Sequence, residues 1–328
     1  MASISVLDLM MIGEGKQFSD TLNESLMLAR HAEKHGYRRY WIAEHHNMPG
    51  IASSATTLIM SHLAAGTSSL RIGSGGMMMP NHSPLIIAEQ FATLDTLYRD
   101  RIDLGVGRAP GTDQQAVRAI RGAFPGERDF AQDIRMLKDY LTDNKKQPVR
   151  ALPGCHNVPV WILGSGLQGA DLAASLGLPY VFASHFAPFH LLQAIQHYRE
   201  NFRPSEWLSK SYVMAGINVF AADTSEEAEF IASSHRGWVV NRNAGKGGPL
   251  PRPVKNYLSG VADIHLRAME SELARTAIGN REEVGFVLRN FLTLTGADEL
   301  IIDARIYDPA ARCRSYQIAA ESINDLLS

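Results

Sequence analysis

Short apolar runs alternate with segments of helical period along the 328 residues, and this strict alternation limits the fold more than any other feature. Parallel strands need a crossover of a dozen or more residues, so strand–helix alternation predicts a parallel sheet covered by helices. The strands read as Ile4–Leu9, Tyr40–Glu44, Leu70–Met78, Arg101–Val106, Val158–Leu163, Tyr180–Ser184, Tyr212–Ala222 and Leu300–Asp303. Helices are predicted over Asp20–Gly36, Ile51–Ala65, Pro84–Leu97, Leu167–Leu176, Pro188–Phe202, Ser225–His235 and Asp308–Leu327, with another ending near Thr142. The first stops at a glycine and the third has proline in its first turn, both ordinary helix punctuation. Eight strands predict a closed (β/α)8 TIM barrel, which takes about 250 residues. An open doubly wound sheet is the alternative. The surplus length falls after strand 4, in a loop over 107–126, and between strands 7 and 8, over 236–278. The second insertion is rich in Gly, Pro and basic residues and reads as a lid. The whole of 1–328 is read as one barrel domain.

Net charge is −2, which gives no basis for a nucleic-acid or membrane-surface partner. The N-terminus lacks a basic n-region and a long apolar h-region, and no apolar run reaches the roughly 20 residues needed to span a bilayer. Cys155 and Cys313 are isolated, with no CxxC and no disulfide pattern. A cytoplasmic protein is expected.

Ionisable groups at the carboxyl ends of barrel strands lie where active sites form. The second strand runs into Glu44-His45-His46-Asn47. Adjacent strand residues point to opposite faces, so one imidazole is expected in the pocket and the other packed beside it. Metal ligands on one strand need i, i+2 spacing, which the adjacent histidines do not offer. His82 could join them only through space, and no metal is expected. Gly73-Ser74-Gly75-Gly76-Met77-Met78-Met79 places three glycines in a strand pattern, a mark of a bulge or of close approach by a ligand. The methionines after them are adaptable enough to be core or to meet a flat aromatic ligand. Arg108 ends the fourth strand, where a guanidinium can fork onto phosphate. Gly164-Ser165-Gly166-Leu167-Gln168-Gly169 reads GxGxxG between a strand and a helix. The acidic residue that a dinucleotide site needs about 20 positions on is missing. What survives is a helix N-terminus able to hold a phosphate, as for a mononucleotide.

Together these segments resemble the bacterial luciferase-like family of flavin-dependent monooxygenases. The resemblance is carried by Tyr40-Trp-Ile-Ala-Glu-His-His46, Leu70-Arg-Ile-Gly73, Pro80-Asn-His-Ser-Pro84, Glu89-Gln-Phe-Ala-Thr-Leu-Asp95, Arg101-Ile-Asp-Leu-Gly-Val-Gly-Arg108, Leu163-Gly-Ser-Gly166 and Leu176-Gly-Leu-Pro179. It implies a barrel that binds reduced FMN at the carboxyl ends of its strands. His45 falls on the family's catalytic histidine and Arg108 on its flavin-phosphate arginine. Gly164, Ser165, Gly166 and Gln168 fall on its second phosphate loop. The family's non-proline cis peptide beneath the flavin would fall at Gly75–Gly76, with Met77 beside it. Gly107 stands where luminous members carry a reactive cysteine, so light emission and a long-chain aldehyde substrate are not implied.

The activity so implied is monooxygenation of a small organic substrate with reduced FMN and dioxygen. A separate flavin reductase would supply the FMN, since no nicotinamide fingerprint is visible. A homodimer packed through the small-residue helices after strands 2 and 3 is also implied. The alternatives are a deazaflavin-dependent hydride-transfer enzyme and a non-catalytic flavin binder.

Overall fold

The computed structural model describes residues 3–121, 129–142, 148–154 and 157–324. Chain order is β1 Ser3–Asp8, α1 Phe18–Lys34, β2 Arg39–Ile42, α2 Thr56–Ala65, β3 Arg71–Met78, α3 Pro84–Leu97, β4 Ile102–Gly107, α4 Gln114–Arg121 and α5 Phe130–Leu141. It continues with β5 Val160–Gly164, α6 Leu167–Leu176, β6 Tyr180–Phe182, α7 Leu191–Asn201, β7 Val213–Ala221 and α8 Ser225–Asn243. The last elements are α9 Asp263–Glu272, β8 Thr276–Gly279, α10 Arg281–Thr295, β9 Glu299–Asp303 and α11 Pro309–Asn324.

All neighbouring strands are parallel, in the order β6-β5-β4-β3-β2-β1-β9-β7, and β6 pairs with β7 to close the ring. Eight strands therefore form the predicted closed barrel, and the open-sheet alternative falls. The ninth strand, β8, pairs only with the outer end of β7, where Asn218–Ala221 meet Thr276–Gly279.

Side-chain alternation separates two apolar layers. Ile4, Val6, Tyr40, Ile42, Ile72, Leu104 and Ile162 belong to the large core between strands and helices. Leu7, Trp41, Trp161, Val181, Met214 and Ile301 point the other way and fill the barrel. Below them a polar layer closes the floor. Arg39 sits 2.6 Å from Asp103 and 3.1 Å from Glu299, and Arg71 reaches Asp103 at 2.7 Å. Tyr212 donates to Glu299 at 2.8 Å, and the Arg39 guanidinium lies 4.6 Å from the Trp161 ring centroid. Charges buried this deeply are tolerated only when paired. The floor is thus sealed, and any ligand must enter from the carboxyl ends. Asp8, at the end of β1, draws the chain ends together by accepting from Met10 N–H at 2.7 Å, Ser25 at 2.7 Å and Arg312 at 2.8 Å.

The expectations need correction in the last third. The helix predicted over Ser225–His235 continues to Asn243, because nothing breaks it before Gly245. The insertion over 236–278 therefore begins as helix, continues as a strap, and ends in α9 and β8. Helix α10 was not predicted, although Asn280 and Glu283 form a capping box and Val284, Leu288 and Phe291 are buried at helical spacing. The loop after β4 carries α4, and α2 begins only at Thr56. Cys155 and the predicted helix end at Leu327 lie outside the described residues. Cys313 is buried and free. Among the described residues, no helix is long and apolar enough to cross a membrane.

Candidate active site

The carboxyl ends of the strands surround a cavity of about 1370 Å³. Its base is apolar, built from Leu7, Trp41, Leu163, Val181 and Ile301. Gly75 and Gly76 lie on this base, and the peptide bond between them is cis. The β3–β4 register shifts between Ser74 and Met77, which is the bulge that the glycines predicted. Past it the side chains are re-aimed: Met78 lines the cavity, whereas Met77 is buried in the core between strands and helices. The placement of Met77 against a ligand is thus corrected in favour of Met78.

The segment after β2 divides its three ionisable residues. His45 lines the cavity. Its Nδ1 lies 3.1 Å from the Gly111 carbonyl oxygen. A carbonyl can only accept, so Nδ1 carries the proton and Nε2 keeps its lone pair. Burial pushes the His45 pKa down, and the nearby Arg305 charge pushes it the same way. His45 is therefore a neutral base at ordinary pH. His46 and His82 turn instead to Glu44. The Glu44 carboxylate lies 2.8 Å from His46 Nε2 and 2.8 Å from His82 Nε2. It also accepts from Met78 N–H at 2.9 Å and from Asn81 at 3.1 Å. Burial alone would raise the Glu44 pKa, but these hydrogen bonds hold it below the usual carboxylate range.

Candidate ligand atoms of Glu44, His46 and His82 lie within 4.8 Å of one another, the spatial meeting through His82 that adjacency on the strand could not supply. The two carboxylate oxygens already serve four donors. The arrangement is chemically a hydrogen-bond hub that ties the β2 segment to the β3 segment beside His45.

The phosphate-binding candidates gather on the opposite side of β3. Arg108 follows β4 and is exposed to the cavity, and its guanidinium donates to Gln168. Gly164 ends β5, Gly166 caps α6, and Ser165 between them is exposed. Tyr180 pins the loop from below by donating to the Gly166 carbonyl at 3.1 Å. A Cβ placed on Gly166 would meet nothing within 4 Å, so space lies open above the helix N-terminus. Backbone N–H groups there, the Ser165 hydroxyl and the Arg108 fork suit a phosphate. The apolar base, with its glycine floor, fits a planar ring system, so a mononucleotide flavin fits the residues present.

The structure brings four further residues, not expected from the sequence, to the same cavity. His185 follows β6, Arg305 follows β9, and Trp238 and Arg242 come from α8. Burial pushes the His185 pKa down to about 4, so the ring is neutral. The rule that singled out His45, an ionisable group just past a strand's carboxyl end, would have found His185 and Arg305 as well.

The sequence profile of the luciferase-like monooxygenases matches residues 4–299. A "Luciferase-like monooxygenase" of Escherichia coli (strain K12) is 46% identical over 99% of this chain and 98% of its own. The N-acetyl-S-alkylcysteine monooxygenase of Bacillus subtilis (strain 168) is 32% identical over 98% of each. Among solved structures, apo-MsnO8 shares 32% identity with a TM-score of 0.88 over 99% of both chains. Two further structures share the fold. The oxygenating constituent of 3,6-diketocamphane monooxygenase from Pseudomonas putida, in complex with FMN, has a TM-score of 0.69 at 16% identity, over 98% of each chain. The coenzyme F420-dependent tetrahydromethanopterin reductase of Methanopyrus kandleri has a TM-score of 0.69 at 15% identity, over 100% of this chain and 99% of its own.

Proposed function

The chain belongs to the luciferase-like monooxygenase family, and from that premise we propose that it is an FMN-dependent monooxygenase acting on a small organic substrate. The observation that carries this reading is one cavity holding three parts: a phosphate corner at Arg108 and Ser165, an apolar base over Gly75–Gly76, and the neutral base His45. Reduced FMN, when bound, supplies the electrons that activate dioxygen.

The chain's own residues have three tasks. Arg108, Gln168 and the Gly164–Ser165–Gly166 loop hold the phosphate. Leu7, Trp41, Leu163 and Val181 exclude water from the ring side of the pocket, which strengthens every polar contact within it. His45 accepts or returns a proton at Nε2, while Gly111 holds Nδ1. The strap after α8 is the lid of this reading. Trp238 donates to the Gly248 carbonyl at 3.2 Å, and Leu250 pairs with Ile12 and Glu14 at 2.8 Å each, which fixes the strap beside the mouth.

A separate flavin reductase is the proposed electron source, in keeping with the Pseudomonas putida relative being the oxygenating constituent of its enzyme. A cytoplasmic homodimer joined through α2 and α3 completes the reading, since Leu58, Ile86 and Leu97 stand exposed on those helices. The test is to titrate FMN into the protein, reduce it anaerobically, and mix with oxygenated buffer. Binding together with reoxidation much slower than that of free reduced FMN is expected. Reoxidation at the free rate, or binding of the deazaflavin F420 in preference to FMN, would overturn the proposal in favour of a flavin binder or a hydride-transfer enzyme.

A further inference from the structure

The cavity is larger than one ligand requires. Ligand pockets run from about 300 to 1,000 Å³, and this one measures about 1370 Å³. Strand order shows where the extra room ends. In the closed ring β4 and β9 stand four steps apart in either direction, as do β2 and β6. Arg305, just after β9, therefore faces Arg108 across the mouth, and His185, just after β6, faces His45.

We propose that the wall made by Arg305, Arg242, Trp238 and His185 is the substrate subsite, and that it selects an organic monoanion: a carboxylate on an apolar body. The proposal rests on the reading of Arg108 and Ser165 as the flavin-phosphate corner, because that assignment leaves the opposite wall for a second molecule.

Arg305 is only 4% exposed, yet it lines the cavity. Its Nε and Nη2 both lie 2.8 Å from one oxygen of Asp303, and Nη1 has no protein partner among the described residues. One edge of the guanidinium is thus fixed and the other is left for a ligand. The Trp238 ring centroid lies 4.9 Å from the Arg305 guanidinium carbon and 5.1 Å from that of Arg242. The indole holds both cations in place and offers an apolar surface beside them. Neither ring nitrogen of His185 has a protein partner among the described residues, and Nδ1 is fully buried. A buried polar ring without a partner costs free energy unless something completes it.

The charge balance chooses the class. Asp303 offsets Arg305, Glu272 pairs with Arg242, and His185 is neutral. A wall so balanced has no surplus charge to hold a dianion, but the open Nη1 edge of Arg305 can still receive one delocalised negative charge in a fork, whereas the loop and arginine across the barrel suit a dianion. The apolar neighbours Val181 and Ile301 leave the rest of the molecule hydrophobic.

The experiment measures binding of hexanoate and phenylacetate, each against its primary amide, to the FMN-loaded protein by tryptophan fluorescence. The acids should bind at least about tenfold tighter than the amides, the scale of a hydrogen bond to a charged group. Arg305→Gln should erase that preference and leave FMN affinity unchanged. Because that variant strands Asp303 and can fail to fold, Arg242→Gln, at a more exposed site, serves as the second. Amides that bind as well as acids, no binding of either to protein that holds FMN, a preference surviving both variants, or loss of FMN from the Arg305 variant would each overturn the subsite. If FMN itself fails to bind while the acids still outbind the amides on free protein, the phosphate-corner reading falls and the carboxylate wall stands.

Discussion

A single backbone carbonyl decides which nitrogen of His45 can work. Gly111 fixes the proton on Nδ1, and burial keeps the ring neutral, so a base is available at Nε2 without a carboxylate partner. The adjacent Glu44 is not such a partner, because it is engaged by His46, His82, Asn81 and Met78. Removing the base should cost what positioned proton transfer supplies. His45→Ala is expected to lower turnover per bound flavin by about 10²–10⁴-fold and leave FMN affinity unchanged. Steady-state rates against a fluorescence titration of FMN check both halves. Because the folded His45 pKa lies below 6.5, the acid limb of kcat/KM should also fall below pH 6.5. Arg108 predicts the reverse pattern. Arg108→Ala should weaken FMN by roughly 2 kcal/mol, the scale of a charged hydrogen bond, and leave turnover at saturating FMN nearly intact.

Among the elements, the glycines on β3, β4 and the α6 loop do different jobs, and substitution separates them. A Cβ on Gly105 of β4 would lie 2.2 Å from the Ser74 carbonyl oxygen and 2.8 Å from Leu163. Backbone cannot yield as a side chain can, so Gly105→Ala should destabilise by about 1–3 kcal/mol or more. Gly166→Ala meets only open space and should leave the melting temperature unchanged while narrowing the phosphate corner. Thermal denaturation of the two variants, with FMN binding, tests the division. This is also where the sequence was most legible. Short apolar runs separated by helical segments marked all eight barrel strands, and the glycine cluster marked the β3 bulge. Legibility failed where short-range signals were weak or unread. β8 has four residues and its partner is only the tip of β7. Met77 and Met78 are chemically alike, and only the bulge decides which of them reaches the cavity. Arg305 and His185 each stand two or three residues past a strand end and carry the same signal as His45, which there went unread.

For the molecule as a whole, the buried histidines and carboxylates make stability depend on pH with one sign. The pKa values of His31, His35, His45, His185 and His235 are all lowered in the folded state, chiefly by burial. A group whose folded pKa is depressed holds fewer protons folded than unfolded, so its contribution is complete above the unfolded value and is lost as pH falls. For the histidines that loss begins at about 6.5. Asp8, Asp103 and Glu44 are depressed as well and add a second loss below their ordinary range near 4. His185, pushed to about 4, accounts for roughly 3 kcal/mol of the difference between pH 7 and pH 4. The melting temperature should therefore hold steady near neutrality, fall below pH 6.5, and fall more steeply below about 4.5. His185→Gln keeps a polar side chain without a titrating ring, and it should make the first segment shallower and leave the second. A melting profile with no slope between pH 6.5 and 4.5 would mean that the buried rings take up protons without cost. The wall that His185 shares with Arg305 would then be wet, not dry.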